Sequence, residues 1–279
     1  MSRSENLDIS FEFFPPRTPQ GKEKLRATWQ QLAQLKPRFF SVTFGAGGST
    51  REGTLETVRE IRAAGHEGAP HISCVASSKS DIDAQLELYR NEGIRHIVAL
   101  RGDLPSGLAA SGEFRHADEL VAYIRETTGD LFQIEVACYP EYHPQTRNAA
   151  DEIRYFKQKV DAGANGAITQ YFYNPDAYFR FVDDSRAAGI SLPIVPGVMP
   201  IGNFSQLARF SDACGAEIPR WLRFKLESFR DDTASIRSFG LDVVTDLCDR
   251  LLTGGAPGLH FYTLNQAGLT STIWQRLRL

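Results

Sequence analysis

The sequence predicts an α/β fold: a closed (β/α)8 barrel of the TIM-barrel class, formed as a single domain over residues 1–279. Three observations predict it. Short apolar runs rich in β-branched and aromatic residues alternate with longer amphipathic segments, there are eight such runs, and no linker-like stretch divides the 279 residues. Strict β-α alternation favours a parallel sheet, because parallel neighbours need a connection of about a dozen residues or more. Eight units suit a closed barrel better than an open sheet of about six strands, and the doubly wound sheet is the alternative.

Taken in order, Asp8–Phe14 is a strand ended by Pro15 and Pro16, and Phe39–Phe44 is a strand running into a glycine-rich turn. His71–Ala76, His96–Leu100, Phe132–Cys138, Gly166–Tyr171, Pro193–Pro196 and Gly258–Tyr262 are the other strands. Helical periodicity marks Gly21–Leu35, Arg51–Ala64, Asp81–Asn91, Ala117–Thr127, Asn148–Ala162, Pro175–Ala188, Phe204–Ala213, the long Ala234–Leu252 and a short Ser271–Leu277.

With 42% hydrophobic, 23% charged and 11% aromatic residues, the composition is that of a soluble globular protein, not a disordered or fibrous one. A net charge of -3, without a basic stripe interleaved with aromatics, gives no attraction to nucleic acid or to an anionic membrane. Cys74, Cys138, Cys214 and Cys248 stand too far apart for a redox pair or a zinc motif. No secretory signal and no membrane-length apolar run is present, so a cytoplasmic protein is expected.

In such a barrel, chemistry belongs to the carboxyl ends of the strands and the loops after them. This selects Glu12, Thr43, Asp103, Tyr139, His143, Gln170 and Tyr262, with His71 less well placed because it opens its predicted strand. Glu12, set in ISFEFFPP, would have its pKa raised towards neutrality if it pointed inward among Phe and Ile, as suits a general acid. Turned outward, it would pair with a helix cation, and pattern alone gives the two readings equal weight.

The segment GAGGST lacks GxGxxG spacing, so it reads either as a tight turn or as a loop that lets backbone approach a ligand. ALRGDLP ends an apolar strand in an opposite-charge pair around Gly102, which suits a polar ligand or an ordinary surface turn. YPEYHP combines aromatic faces, a carboxylate and a histidine, suited to stacking on a planar ring and bonding its edge. Gln170 offers a donor and an acceptor to a heterocycle, or to loop backbone. The six histidines form no HxH or HExxH pattern, so no metal site is expected. Neither a strand-end lysine for a Schiff base nor a GxSxG elbow occurs.

Nine blocks, FEFFPP, VTFGAGGST, PHISC, GIRHIVALRGDLP, YPEYHP, KVDAGANGAITQYF, PGVMPI, FSDACGAEIP and HFYTLN, resemble in order those of the bacterial 5,10-methylenetetrahydrofolate reductase family, in its short form without a regulatory domain. The resemblance implies a barrel that binds FAD at the carboxyl ends of its strands and reduces 5,10-methylenetetrahydrofolate to 5-methyltetrahydrofolate, supplying methyl groups for methionine synthesis. Electrons would come from NADH or NADPH in a ping-pong sequence, the protein positioning and tuning the flavin. It also implies a homo-oligomer.

By position the resemblance makes Glu12 the general acid that opens the folate imidazolidine ring, and Asp103 the carboxylate beside flavin and pterin that lowers the flavin potential. Gln170, Gln206, Phe210 and Gln266 fall at substrate positions, together with Asp103. FAD would be held by Thr43, Phe44, Ala46, His71, Arg101, Gly102, Asp103, Ala117, Tyr139, His143, Thr146 and Lys159. Glu152, Tyr155 and Gln158 occupy cofactor positions that often carry Asp, Asn and Arg in the family, and Gln266 stands where some relatives have arginine. Two other functions fit the residues: a barrel lyase or hydrolase using Glu12 and Asp103 without flavin, and a non-catalytic folate- or flavin-binding protein.

Overall fold

A computed structural model describes residues 7–44, 51–102 and 112–279 of the chain. Its nine parallel strands and ten helices, counted among the described residues, form one barrel. The first six units are β1 (Asp8–Phe13) α1 (Pro19–Ala33), β2 (Phe39–Val42) α2 (Arg51–Ala63), β3 (Gly68–Ser73) α3 (Lys79–Asn91), β4 (His96–Leu100) α4 (Ala117–Thr128), β5 (Gln133–Cys138) α5 (Ala149–Asp161) and β6 (Gly166–Thr169) α6 (Pro175–Ala187). Then come β7 (Ile194–Val195), β8 (Gly197–Val198), α7 (Phe204–Cys214), α8 (Arg220–Ser228), α9 (Thr233–Thr253), β9 (Gly258–Tyr262) and α10 (Gly268–Leu277).

The order β7-β6-β5-β4-β3-β2-β1-β9-β8 closes because β7 and β8 are two halves of one strand, broken at Pro196. β7 pairs with β6 through Ile168↔Val195, and β8 pairs with β9 through Val198↔Phe261. Proline has no N–H to give to a ladder, but the Pro196 carbonyl still accepts the His260 N–H at 3.0 Å. The seam is reinforced by Tyr262, whose hydroxyl donates to the Thr169 carbonyl at 2.8 Å, and by the Gly197 N–H, which donates to Thr169 Oγ1 at 2.9 Å. A side chain at Gly197 would bring its Cβ to 2.1 Å from that same carbonyl, so the seam requires glycine.

Three predictions of element boundaries are corrected. The third strand begins at Gly68, so His71 lies in its carboxyl half and does not open it. The predicted Pro193–Pro196 strand is the first half of a broken one that continues past Pro196. The stretch between the predicted Phe204–Ala213 and Ala234–Leu252 helices contains a further helix, α8, which buries only Leu222 and Leu226 and exposes Trp221 and Phe224. Several helices that follow strands start at a side-chain cap: Asn148, Asn174 and Asn203 accept backbone N–H groups at α5, α6 and α7.

The period of β1 divides its residues between two environments. Phe11 and Phe13 point outward into the layer between barrel and helices, where they meet Phe40 with ring centroids 5.9 and 5.5 Å apart. Burying each ring contributes roughly 2–3 kcal/mol. Ser10 and Glu12 point the other way, into the barrel. Inside, Phe39, Ala69, Val98 and Ile168 form an apolar layer.

Candidate active site

Glu12 sits on the carboxyl half of β1 and is reached by imidazoles from two other strands. His71 Nε2 on β3 lies 3.3 Å from Glu12 Oε2 and His260 Nε2 on β9 lies 3.5 Å from it. Only His260 is aligned for a hydrogen bond; His71 is within ion-pair distance, but its Nε2 has no hydrogen-bond partner among the described residues. The Ser41 hydroxyl donates to the same carboxylate oxygen at 3.5 Å, and Ser10 Oγ lies 2.7 Å from His260 Nδ1, fixing that ring.

This corrects the expected pKa of Glu12. Burial does push it upward, but the His260 hydrogen bond and the positive charge of His71 outweigh burial and lower it from 4.5 to about 2. The apolar neighbours in sequence, Phe11 and Phe13, face away from the carboxylate. Its true neighbours are contributed by β2, β3 and β9. His260 was legible only as one of six histidines without a motif, although alternation in GLHFY puts it on the same face of β9 as Tyr262.

A second group forms after β4 and β5. Arg101 Nη1 donates to Gln145 Oε1 at 2.5 Å, joining the ALRGDLP and YPEYHP segments. Gly102 has φ of +88°, with Ser73 Oγ where a Cβ would be, so glycine is needed there. The Tyr139 and His143 rings meet edge to face at 4.8 Å. Glu152 on α5, 3% exposed, accepts the His143 N–H at 3.1 Å, and the Thr146 N–H donates to the His143 carbonyl at 2.7 Å. Tyr155 and Gln158 are exposed on the same helix, and Ala117 begins α4.

Two features here fit an anionic, polar-edged cofactor. Lys159 is half-buried and makes no ion pair among the described residues, and its desolvation lowers its pKa; its Nζ donates to the Ala137 carbonyl at 2.5 Å. A diphosphate beside it would supply the missing counter-charge. Thr43 Oγ1 is likewise buried without a partner, while the Thr43 backbone is used on both sides, by Phe13 and by Thr54. Phe44 is half-buried beside Arg51, whose guanidinium lies 5.6 Å from its ring. Ala46 and Asp103 lie outside the described residues.

The third group is a cleft between the carboxyl ends of β8 and β9 and helices α7 and α9. Gln206, Phe210 and Gln266 line it together with Leu207, Thr263 and Arg237. Gln170, at the end of β6, stands apart from this lining; its Oε1 accepts the Tyr171 N–H at 3.0 Å, leaving its Nε2 to donate elsewhere. Tyr262 belongs to the seam. Among the described residues no group of His, Cys, Asp or Glu could hold a metal ion, and no helix is long and apolar enough to cross a membrane.

The sequence model of methylenetetrahydrofolate reductase matches residues 1–278. The chain belongs to the methylenetetrahydrofolate reductase family. It is 40% identical over 273 residues to 5,10-methylenetetrahydrofolate reductase of Escherichia coli, covering 97% of this chain and 90% of that protein. Its identity to the reductase of Buchnera aphidicola is 39% over 272 residues, covering 96% and 91%. Methylenetetrahydrofolate reductase (NADH) 1 of Arabidopsis thaliana is 40% identical, and the match covers 92% of this chain but 46% of the plant protein. A Clostridium thermocellum protein that binds two copies of 5-methyl-5,6,7,8-tetrahydrofolic acid has the same fold, with a TM-score of 0.67 at 16% identity, covering 99% of this chain and 95% of that one. Like its relatives, the protein is an enzyme, a methylenetetrahydrofolate reductase and an oxidoreductase.

Proposed function

We propose that the protein reduces 5,10-methylenetetrahydrofolate to 5-methyltetrahydrofolate with electrons from NADH or NADPH, using FAD in a ping-pong sequence, in the cytoplasm and in support of methionine synthesis. The single observation that carries the reading is Glu12 beside His71 and His260 at the carboxyl ends of the strands of a barrel in this family. FAD would supply the hydride relay between nicotinamide and folate. Tyr139, His143, Thr146, Arg101, Gly102, His71, Thr43, Phe44, Ala46, Ala117 and Lys159 would hold it, Lys159 opposite the diphosphate. Glu152 would act through His143, whose N–H it accepts. Tyr155 and Gln158 would lie at the cofactor's outer edge.

The lowered pKa of Glu12 changes how an acid must work there. A carboxylate at about 2 carries no proton at neutral pH, so a proton that Glu12 delivers must reach it from a neighbouring group, and the imidazoles of His71 and His260 lie within 3.5 Å of it. Glu12 passes the proton to the folate nitrogen that leaves when the five-membered ring opens, and an imidazole replaces it. Gln170 would donate its free Nε2–H to the pterin or nicotinamide, while Phe210, Gln206 and Gln266 would hold the rest of the folate. Asp103 would keep the flavin potential low through its negative charge.

The test is a visible spectrum of the protein after addition of FAD and removal of the unbound cofactor, followed by anaerobic NADH or NADPH and then methylenetetrahydrofolate. Retained yellow colour that bleaches and then returns is expected. A protein that does not retain FAD yet still turns over would refute the flavin relay, and one that neither retains FAD nor turns over would favour a non-flavin lyase or hydrolase or a binding protein.

A further inference from the structure

We infer that Arg237 reads the glutamate tail of the folate, an assignment that rests on the cleft of Gln206, Phe210 and Gln266 being the folate site. Arg237 is the one ionisable side chain among the residues that line this cleft. It projects from the second turn of α9, is exposed, and has no hydrogen bond or ion pair among the described residues. Some surface arginines of the chain pair, Arg26 with Glu60, Arg38 with Asp8 and Arg276 with Asp242, and others such as Arg147 and Arg223 make no ion pair among the described residues; Arg237 is distinguished by lining this cleft. On a protein of net charge -3, a guanidinium without an acid at the mouth of a cleft that itself contains no acid is a place prepared for an external anion.

The cleft lining offers a partner of the right chemistry for each part of a folate's tail. Apolar Leu207 and Phe210 suit the flat p-aminobenzoyl ring, the carboxamides of Gln206 and Gln266 suit its amide, and the cation at the rim suits the two carboxylates that end the molecule. Guanidinium and carboxylate match as paired donors and acceptors. Gln266 can offer a hydrogen bond but no charge, so the electrostatic part of tail recognition falls to α9 and not to the loop after β9. Arg209, whose guanidinium lies 5.7 Å from the Phe210 ring, is a second cation beside a lining residue, but it does not itself line the cleft.

The experiment compares two ligands by calorimetry on the FAD-loaded protein at low salt: 5-methyltetrahydrofolate with one glutamate, and 5-methyltetrahydropteroate, which lacks it. In the unaltered protein the tail should tighten binding about tenfold, the size expected for a charge-assisted pair at an exposed rim. Arg237→Gln should bring the ratio near one, Arg237→Glu should invert it, and Arg237→Lys should leave an intermediate value. Arg209→Gln should retain the full ratio. Adding Gln266→Arg to Arg237→Gln should restore a preference for the tail. A ratio that survives in Arg237→Gln and Arg237→Glu, or a ratio of one in the unaltered protein, overturns the assignment while leaving the cleft a folate site. An unaltered protein that binds neither ligand overturns both.

Discussion

The barrel interior holds two carboxylate-imidazole pairs with the same spacing and different surroundings. Near the amino ends of the strands, Glu135 lies 3.3 Å from His96 Nε2; towards the carboxyl ends, Glu12 lies 3.3 Å from His71 Nε2. The lower pair is sealed: the Glu135 side chain is 4% exposed, Arg38 adds a permanent cation at 3.7 Å, and the Phe39 ring lies 4.2 Å from that of His96. Glu12 is 19% exposed and, among the described residues, has only imidazoles as cationic partners, groups that can give up a proton. The Phe39 ring, 6.2 Å from that of His260, stands between the two clusters. The same residue types are therefore enclosed by a fixed cation and an apolar layer in one place, and more open with imidazole partners in the other, which is where the proposed function puts the chemistry.

The contrast is sharpest under substitution. Glu135→Gln should destabilise the fold by about 3 kcal/mol, because it leaves the buried His96 without its anion and takes from Arg38 one of its two carboxylates, the other being Asp8. Chemical denaturation would show this as a lower midpoint, with the folded fraction retaining its folate activity. A loss of folate activity without loss of stability would erase the distinction between the two pairs.

Acid should act on the upper pair in a defined window. Because the pKa of Glu12 is lowered from 4.5 to about 2, its ionised form contributes stability that is fully present above about 4.5 and disappears as the pH falls through 2. The contribution is about 3 kcal/mol. The stability difference between the unaltered protein and Glu12→Gln should accordingly shrink as the pH falls from 5 to 2. A difference that stays constant over that range would mean that the histidines do not hold Glu12 ionised.

A smaller effect is expected outside the barrel interior. Lys159→Met removes a half-buried, desolvated cation that has no ion pair among the described residues, so the melting temperature of the protein without FAD should hold or rise. FAD should bind about tenfold more weakly, read by equilibrium dialysis, since one charge-assisted contact to the diphosphate is lost. Unchanged FAD affinity would move the diphosphate away from α5.

What the sequence disclosed follows from the range of the interactions concerned. Alternation and turn residues are local, and they revealed eight units and the carboxyl strand ends where Glu12 and Gln170 lie, but not which way Glu12 points. They failed where local signals conflict with tertiary ones. The strand predicted from His71 begins at Gly68 and takes in Pro70, Pro196 reads as an end yet interrupts a strand that continues, and the exposed Trp221 and Phe224 blur the apolar stripe of α8. The surroundings of Glu12 were not legible at all, because His260 approaches it across 248 residues of chain. Arg237 was invisible for the same reason, being an ordinary surface arginine until α9 is packed beside the cleft.

The division of labour between the two pairs is tested most directly by following both half-reactions anaerobically, in the FAD-loaded unaltered protein, Glu12→Gln and Glu135→Gln. The account predicts that all three are reduced by nicotinamide at similar rates, and that only Glu12→Gln loses reoxidation by methylenetetrahydrofolate, by about 10²- to 10⁴-fold. Equal slowing of both half-reactions in Glu12→Gln, or the same loss in Glu135→Gln, would contradict it.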